Sequence, residues 1–160
     1  MKRPSKLYPA LIVTGCLVIL VVGGLVRAQT APKVGSGDVV ADRQRLMKLN
    51  GASWADAQAK FKAGNIEAIA VNAETMAINA THIPFLFPQG SLTEKSNAKA
   101  EIWEKRAEFD SDAQNMETWA VKLRDTAKTK DATATESVMK DFGRQACGTC
   151  HTPFRVPPKS

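Results

Sequence analysis

Apolar residues along this chain recur at helical rather than strand spacing. Residues 38–63 contain no proline and carry Val40, Met47, Trp54 and Phe61 at intervals of seven, which keeps all four on one helix face. Gly64-Asn65 follows as a helix stop. A second stripe, Ile66, Ile69, Ala70, Ala73, Met76, Ala77 and Ala80, predicts a second helix. Pro84, Pro88 and Gly90 then mark a long loop running to about Ser96. A third stripe reads Ile102, Phe109, Met116 and Leu123, with Ala113, Ala120 and Ala127 filling the same face. A polar connection occupies residues 128–132. Thr133-Ala134-Thr135-Glu136 then has the form of a capping box, and Val138, Phe142, Ala146 and Cys150 make a fourth stripe. Strand alternation is nowhere sustained, and no internal repeat is present. Four amphipathic helices with short joints and one long joint predict an all-α, antiparallel four-helix bundle over residues 38–156.

The N-terminal segment follows a different rule. Lys2, Arg3 and Lys6 precede an apolar run over residues 7–26, which Arg27-Ala28 closes. This order is that of a signal peptide, with the Gly23-Gly24 pair breaking the apolar core and cleavage after Ala28. An uncleaved anchor is the rival, since about 20 apolar residues just span a bilayer. Val13-Thr14-Gly15-Cys16 has a superficial likeness to a lipoprotein box, but the most apolar stretch follows Cys16. All three readings export the body of the protein, to a periplasmic location, either free or tethered to the membrane by residues 7–26. Residues 1–28 are therefore set apart as signal or anchor and 29–37 as a linker.

This division changes the meaning of the charge. The 160 residues suffice for one domain, and their 22 basic and 16 acidic residues give +6. From Gln29 onward, however, 18 basic residues face 16 acidic ones, a difference of only +2. A body so near neutrality is poorly suited to nucleic acid, whose binding requires many neutralised phosphates.

One motif carries specific chemistry. Cys147-Gly148-Thr149-Cys150-His151 is a Cys-x-x-Cys-His run, the attachment sequence for c-type haem. Two thiols one helical turn apart face the same way and can form thioethers with two vinyl groups of one porphyrin edge. The histidine that follows can coordinate the iron. One haem c, held through two thioethers, is the cofactor so implied. The competing readings are weaker. A thioredoxin-like pair needs a βαβ setting and a helix N-terminus after its first cysteine. Zinc needs a fourth ligand, and His82 is the one spare histidine. A plain disulfide is the remaining use of the pair, yet the exported part contains these two cysteines and no others, so no disulfide framework exists. Spacing leaves the sixth iron position open among His82, Met47, Met76, Met116, Met139 and no ligand at all. A methionine within a helical stripe is more often core filling than ligand.

From Asp38 to Arg155 the chain resembles the class II c-type cytochromes, the cytochrome c′ family. The carriers are Arg43-Gln44-Arg45-Leu46-Met47-Lys48 with Asn50-Gly51, Pro84 with Leu86-Phe87-Pro88, Ile102-Trp103 with Phe109, the Cys147–His151 motif, and Phe154-Arg155. The resemblance implies a four-helix bundle with its haem motif near the C-terminus. Low-spin members carry methionine four residues after the first-helix arginine, where five-coordinate members carry an apolar residue. It thus implies axial ligation by His151 and Met47. It also implies Arg43 and Gln44 near the haem propionates, Phe154 against the haem edge, and Arg155 over the proximal imidazole, with Pro153 interrupting a clean helix there. Trp103 either lines the haem cleft or sits in the core without touching the haem. Lys140, Arg144, Arg155 and Lys159 cluster in sequence around the motif, either steering an acidic partner or as scattered solvated charge.

The function so implied is that of an exported monohaem cytochrome carrying single electrons between redox partners, not an enzyme. The alternative is a five-coordinate cytochrome c′ that binds or senses nitric oxide or carbon monoxide. A peroxidase finds no distal histidine–arginine pair. A homodimer paired through the first two helices is a further expectation of the resemblance.

Overall fold

The computed structural model describes residues 36–157. The signal or anchor reading of residues 1–28, Cys16, most of the linker, and Lys159 all lie outside the described residues. Among those described, no helix is long and apolar enough to cross a membrane.

The first helix, α1, runs from Val39 to Lys62. It starts where Asp38 accepts from the backbone N–H groups of Val40 at 3.1 Å and Ala41 at 3.0 Å, satisfying donors that the first turn leaves unpaired. It stops at Gly64, whose φ of 75° is open to glycine, with Gly64 N–H donating to Phe61 O at 3.0 Å and Asn65 N–H to Lys60 O at 2.9 Å. A short joint leads to α2 (Ile69–His82), whose predicted stripe from Ile69 to Ala80 is buried throughout. A single 3-10 turn at Pro84–Leu86 opens the long loop.

The third stripe proves to belong to two helices. A short α3 (Glu101–Glu104) is separated from α4 (Arg106–Lys128) by Lys105, at φ −115° and ψ 47°. Ile102 and Phe109 lie on either side of this break and are both buried, so the stripe survives the kink. Helix α5 spans Ala132–Phe142. The capping box at Thr133–Glu136 is not what starts it. Asp131 is the N-cap, its carboxylate accepting from Ala134 N–H at 2.9 Å, and Thr135 is fully buried with its hydroxyl donating to Asp131 O at 2.7 Å. The polar connection supplied the cap, two residues earlier than the motif suggested. Beyond Phe142 the helix widens into a π-helical stretch, Gly143–Gly148, and tightens again as α6 (Thr149–Phe154). Pro153 does not end α6; the chain leaves the helix at Arg155, which is extended at φ −122° and ψ 135°.

These helices pack as a four-helix bundle, α2 lying chiefly between α1 and α4, with α5 against α4. Ile69, Ala73, Met76, Ala113, Ala120, Leu123, Ala127 and Phe142 form a continuous core. The small alanines let α2 and α4 approach closely. In contrast, Met47, Trp54 and Phe61 on α1 are only half-buried: Trp54 and Phe61 border a small groove, with Trp54 stacked on Phe142, and Met47 borders open space rather than another helix.

Candidate functional site

That open space is a cavity of about 500 Å³ at one end of the bundle. Helix α1 contributes Arg43, Gln44, Met47, Lys48 and Gly51, which share one face by their spacing of three to four residues. The loop over residues 87–99 contributes Phe87, Ser96, Asn97 and Ala98. Ile102 and Phe109 form the floor, and Cys150, His151, Phe154 and Arg155 form the far wall. Phe109 sits edge-on between Phe87 and Phe154, with ring centroids 4.8 Å and 5.5 Å away, and this aromatic row makes the floor apolar.

Both cysteines are half-buried free thiols. Cys150 and His151 line the cavity, and Cys147 stands one turn earlier on the π-helical stretch. Burial pushes the Cys150 thiol up to about 12, with Asp112 and Cys147 adding to the effect, and burial raises Cys147 as well. A redox-active Cys-x-x-Cys pair needs the opposite, a stabilised thiolate. Burial, then Arg155, lowers the His151 pKa and so favours the neutral ring, the form that can ligate a metal. Among the described residues no three His, Cys, Asp or Glu side chains gather to hold a metal ion, which leaves the zinc reading without ligands.

The sequence candidates divide clearly. Arg43, Gln44, Met47, Cys150, His151, Phe154 and Arg155 meet at the cavity. Met76 and Met116 are buried in the core instead, and Met139 borders a separate small groove with Trp54 and Phe61. His82 is exposed, with Nδ1 2.8 Å from Ile78 O, and does not reach the cavity. Trp103 does not line it either. Its indole N–H points to the carbonyls of Pro88 at 2.9 Å and Phe87 at 3.2 Å, fastening the loop from outside. Arg155 begins the extended tail and pairs with Ala98 across an isolated antiparallel bridge. The basic cluster around the motif is partly neutralised: Lys140 pairs with Glu136 at 3.3 Å and Arg144 with Asp141 at 2.7 Å. Lys48, Lys95, Lys99 and Arg155, at or beside the cavity mouth, have no carboxylate within salt-bridge distance among the described residues.

The cavity residues fit a haem. A flat apolar floor, a histidine beside a cysteine on one wall, a methionine on the opposite wall and basic groups at the rim match its porphyrin, iron and two carboxylates in turn. Gly51 also borders the cavity, so a side chain there would project into it.

The sequence profile of the Cytochrome C' family matches residues 38–155. Cytochrome c-556 of Agrobacterium tumefaciens is 32% identical over 120 residues, covering 73% of this chain and 96% of that protein. Cytochrome c-554 of Cereibacter sphaeroides is 40% identical over 75 residues, covering 45% of this chain and 48% of that protein, so the match spans about half the length of that relative. Among solved structures, cytochrome c′ from Thermochromatium tepidum superposes with a TM-score of 0.68 at 22% identity, covering 77% of this chain and 98% of that one. A cytochrome c′ with ligand-controlled dimer dissociation gives 0.69 at 22% identity, with the same shares. The profile, spanning nearly all the described residues and meeting the Cys147–His151 motif in its expected place, establishes that the chain belongs to the cytochrome c′ family of c-type cytochromes and carries one covalently attached haem c.

Proposed function

We propose that this cytochrome carries single electrons between redox partners in the periplasm, with its iron held between His151 and Met47, and that it is not an enzyme. One observation carries the reading: of the four methionines among the described residues, Met47 is the one that borders the same cavity as His151. When bound, haem c supplies a one-electron iron couple.

The chain's own residues shape that couple. Cys147 and Cys150 tie the porphyrin edge to the last helices. His151, whose burial favours the neutral ring, would act as the proximal ligand. The soft thioether of Met47 favours reduced iron and raises the potential. Phe87, Phe109 and Phe154 keep water from the floor. Lys48 and Arg155 give the haem carboxylates positive neighbours, and hydrogen bonds to charged groups are about twice as strong as neutral ones. With both axial positions taken, no place remains for a substrate. The basic groups at the mouth suit a partner with an acidic face. Leu49 on α1 and Ile78 on α2 are exposed apolar residues beside the Asn50–Asn79 hydrogen bond, and with Val71 they offer a surface for a homodimer through the first two helices. Residues 1–28 act as the export signal or anchor, 29–37 as linker and 38–156 as the cytochrome domain.

The alternative, a gas-binding cytochrome c′, requires an open distal side. Carbon monoxide association with the ferrous protein separates the two. Wild type binds slowly. Met47→Leu binds faster by about tenfold or more, the ratio produced by removing a competing bond of only ~1.4 kcal/mol. Fast binding by wild type, unchanged in Met47→Leu, favours the gas binder.

A further inference from the structure

Residues 87–99 touch both walls of the cavity. On the α1 side, Arg43 Nη1 donates to Ser91 Oγ at 3.1 Å, and Nη2 donates to Ser91 O at 2.6 Å and to Ser96 Oγ at 3.1 Å. The guanidinium carbon lies 4.7 Å from the Phe87 ring centroid, and neighbouring Gln44 donates to Lys95 O at 2.8 Å. On the other side, Lys99 N–H donates to Phe154 O at 3.0 Å and Val156 N–H to Asn97 O at 2.8 Å. Ser96 Oγ joins the two attachments, since it also accepts from Ala98 N–H at 3.1 Å. Met47 lies one turn beyond Arg43, and His151 one turn before Arg155. A hydrogen-bonded strap therefore connects the two helices that bear them. Among the described residues no other hydrogen bond joins α1 to residues 143–157.

We propose that Arg43 is a positioning residue that acts through this strap: it holds α1 toward the attachment helix and so keeps Met47 in reach of the iron. The inference rests on the Met47 coordination proposed above. Arg43 is only 3% exposed, and a buried guanidinium is tolerated when its donors are satisfied. Three hydrogen bonds go to the strap, out of five N–H donors. On its other side α1 packs against α2 and the 3-10 turn, but its cavity face packs against no helix, so the strap is what links it across the cavity. Loosening the strap shifts an open–closed balance in which the sulfur leaves the iron. The rival role for Arg43 is direct contact with the haem carboxylates through its remaining donors.

The test uses ferric and ferrous holoprotein of wild type, Arg43→Met, the Ser91→Ala/Ser96→Ala pair, and all three substitutions combined. Two readouts serve: the weak long-wavelength sulfur–iron charge-transfer band of the ferric form, and carbon monoxide association with the ferrous form. The expected result is that Arg43→Met loses much of the band below its unfolding temperature and binds carbon monoxide about tenfold faster, as a modest population shift would give. The serine pair moves both readouts in the same direction, and the combined variant goes no further than Arg43→Met alone, because the substitutions break one connection. A serine pair indistinguishable from wild type, or effects that add fully, overturns the strap and leaves the carboxylate role. Should Arg43→Met fail to fold, Arg43→Lys, which keeps the charge but not the fork, replaces it under the same criteria. A wild type lacking the band, by contrast, removes the Met47 coordination itself.

Discussion

Position 51 is where the needs of helix and cofactor part. Glycine inside a helix costs roughly 0.5–1 kcal/mol relative to alanine, and Gly51 lies near the middle of α1. Yet it borders the cavity one turn beyond Met47, where an added Cβ meets no protein atom within 4 Å. The missing side chain leaves room on the distal face. Gly51→Ala keeps that room nearly intact, whereas Gly51→Leu fills it. The fraction of purified chain carrying haem, read by mass, is expected to stay near that of wild type for alanine and to fall clearly for leucine. Full haem incorporation in Gly51→Leu would show that this face of α1 is not against the cofactor. Arg43 and Trp103 make the companion point about reading single residues. Arg43 is expected at the haem on resemblance, and Trp103 either in the haem cleft or in the core. Arg43 borders the cavity but spends three donors on the strap, and Trp103 grips the same loop from outside. Their serine and carbonyl partners are far away in sequence, and nothing in a local pattern announces them.

Among the elements, hydrophobic spacing was a reliable guide to α2 and α4, because each buries one full stripe between two neighbours. It was less complete for α1. Its stripe of Val40, Met47, Trp54 and Phe61 has the right period, but only Val40 is buried by protein alone. Met47 is left half-exposed by the cofactor cavity, whereas Trp54 and Phe61 border a separate small groove beside α5. The start of α5 illustrates a different limit. A Thr-x-x-Glu pattern and an aspartate two residues earlier are both competent caps, and the choice is made by Thr135, which is buried and donates to Asp131 O. Asp131→Ala is expected to lower holoprotein stability by about 1 kcal/mol, and Thr133→Ala by less than about 0.5 kcal/mol. Denaturant midpoints at constant slope measure both, and the reverse order would return the cap to Thr133. The π-helical stretch before the haem motif was hidden inside the fourth stripe, whose Ala146 is buried as in an ordinary helix, although the glycines at both its ends, Gly143 and Gly148, were in plain view.

For the molecule as a whole, the bundle and the proximal half of its site were legible because each depends on local sequence: helical stripes, polar joints, and five consecutive residues from Cys147 to His151. The distal half was legible only through the family resemblance, which implied Met47, since the choice among Met47, Met76, Met116, Met139 and His82 depends on which helix face meets the cavity. That is a property of the assembled bundle. It brings Met47 to the cavity and leaves the other four in core, groove or solvent. The absorption spectrum of the purified holoprotein, ferric and ferrous, tests this account most directly. The prediction is a low-spin haem in both states, with sharp α and β bands when reduced and a weak sulfur–iron band when oxidised. A high-spin spectrum without that band would contradict it.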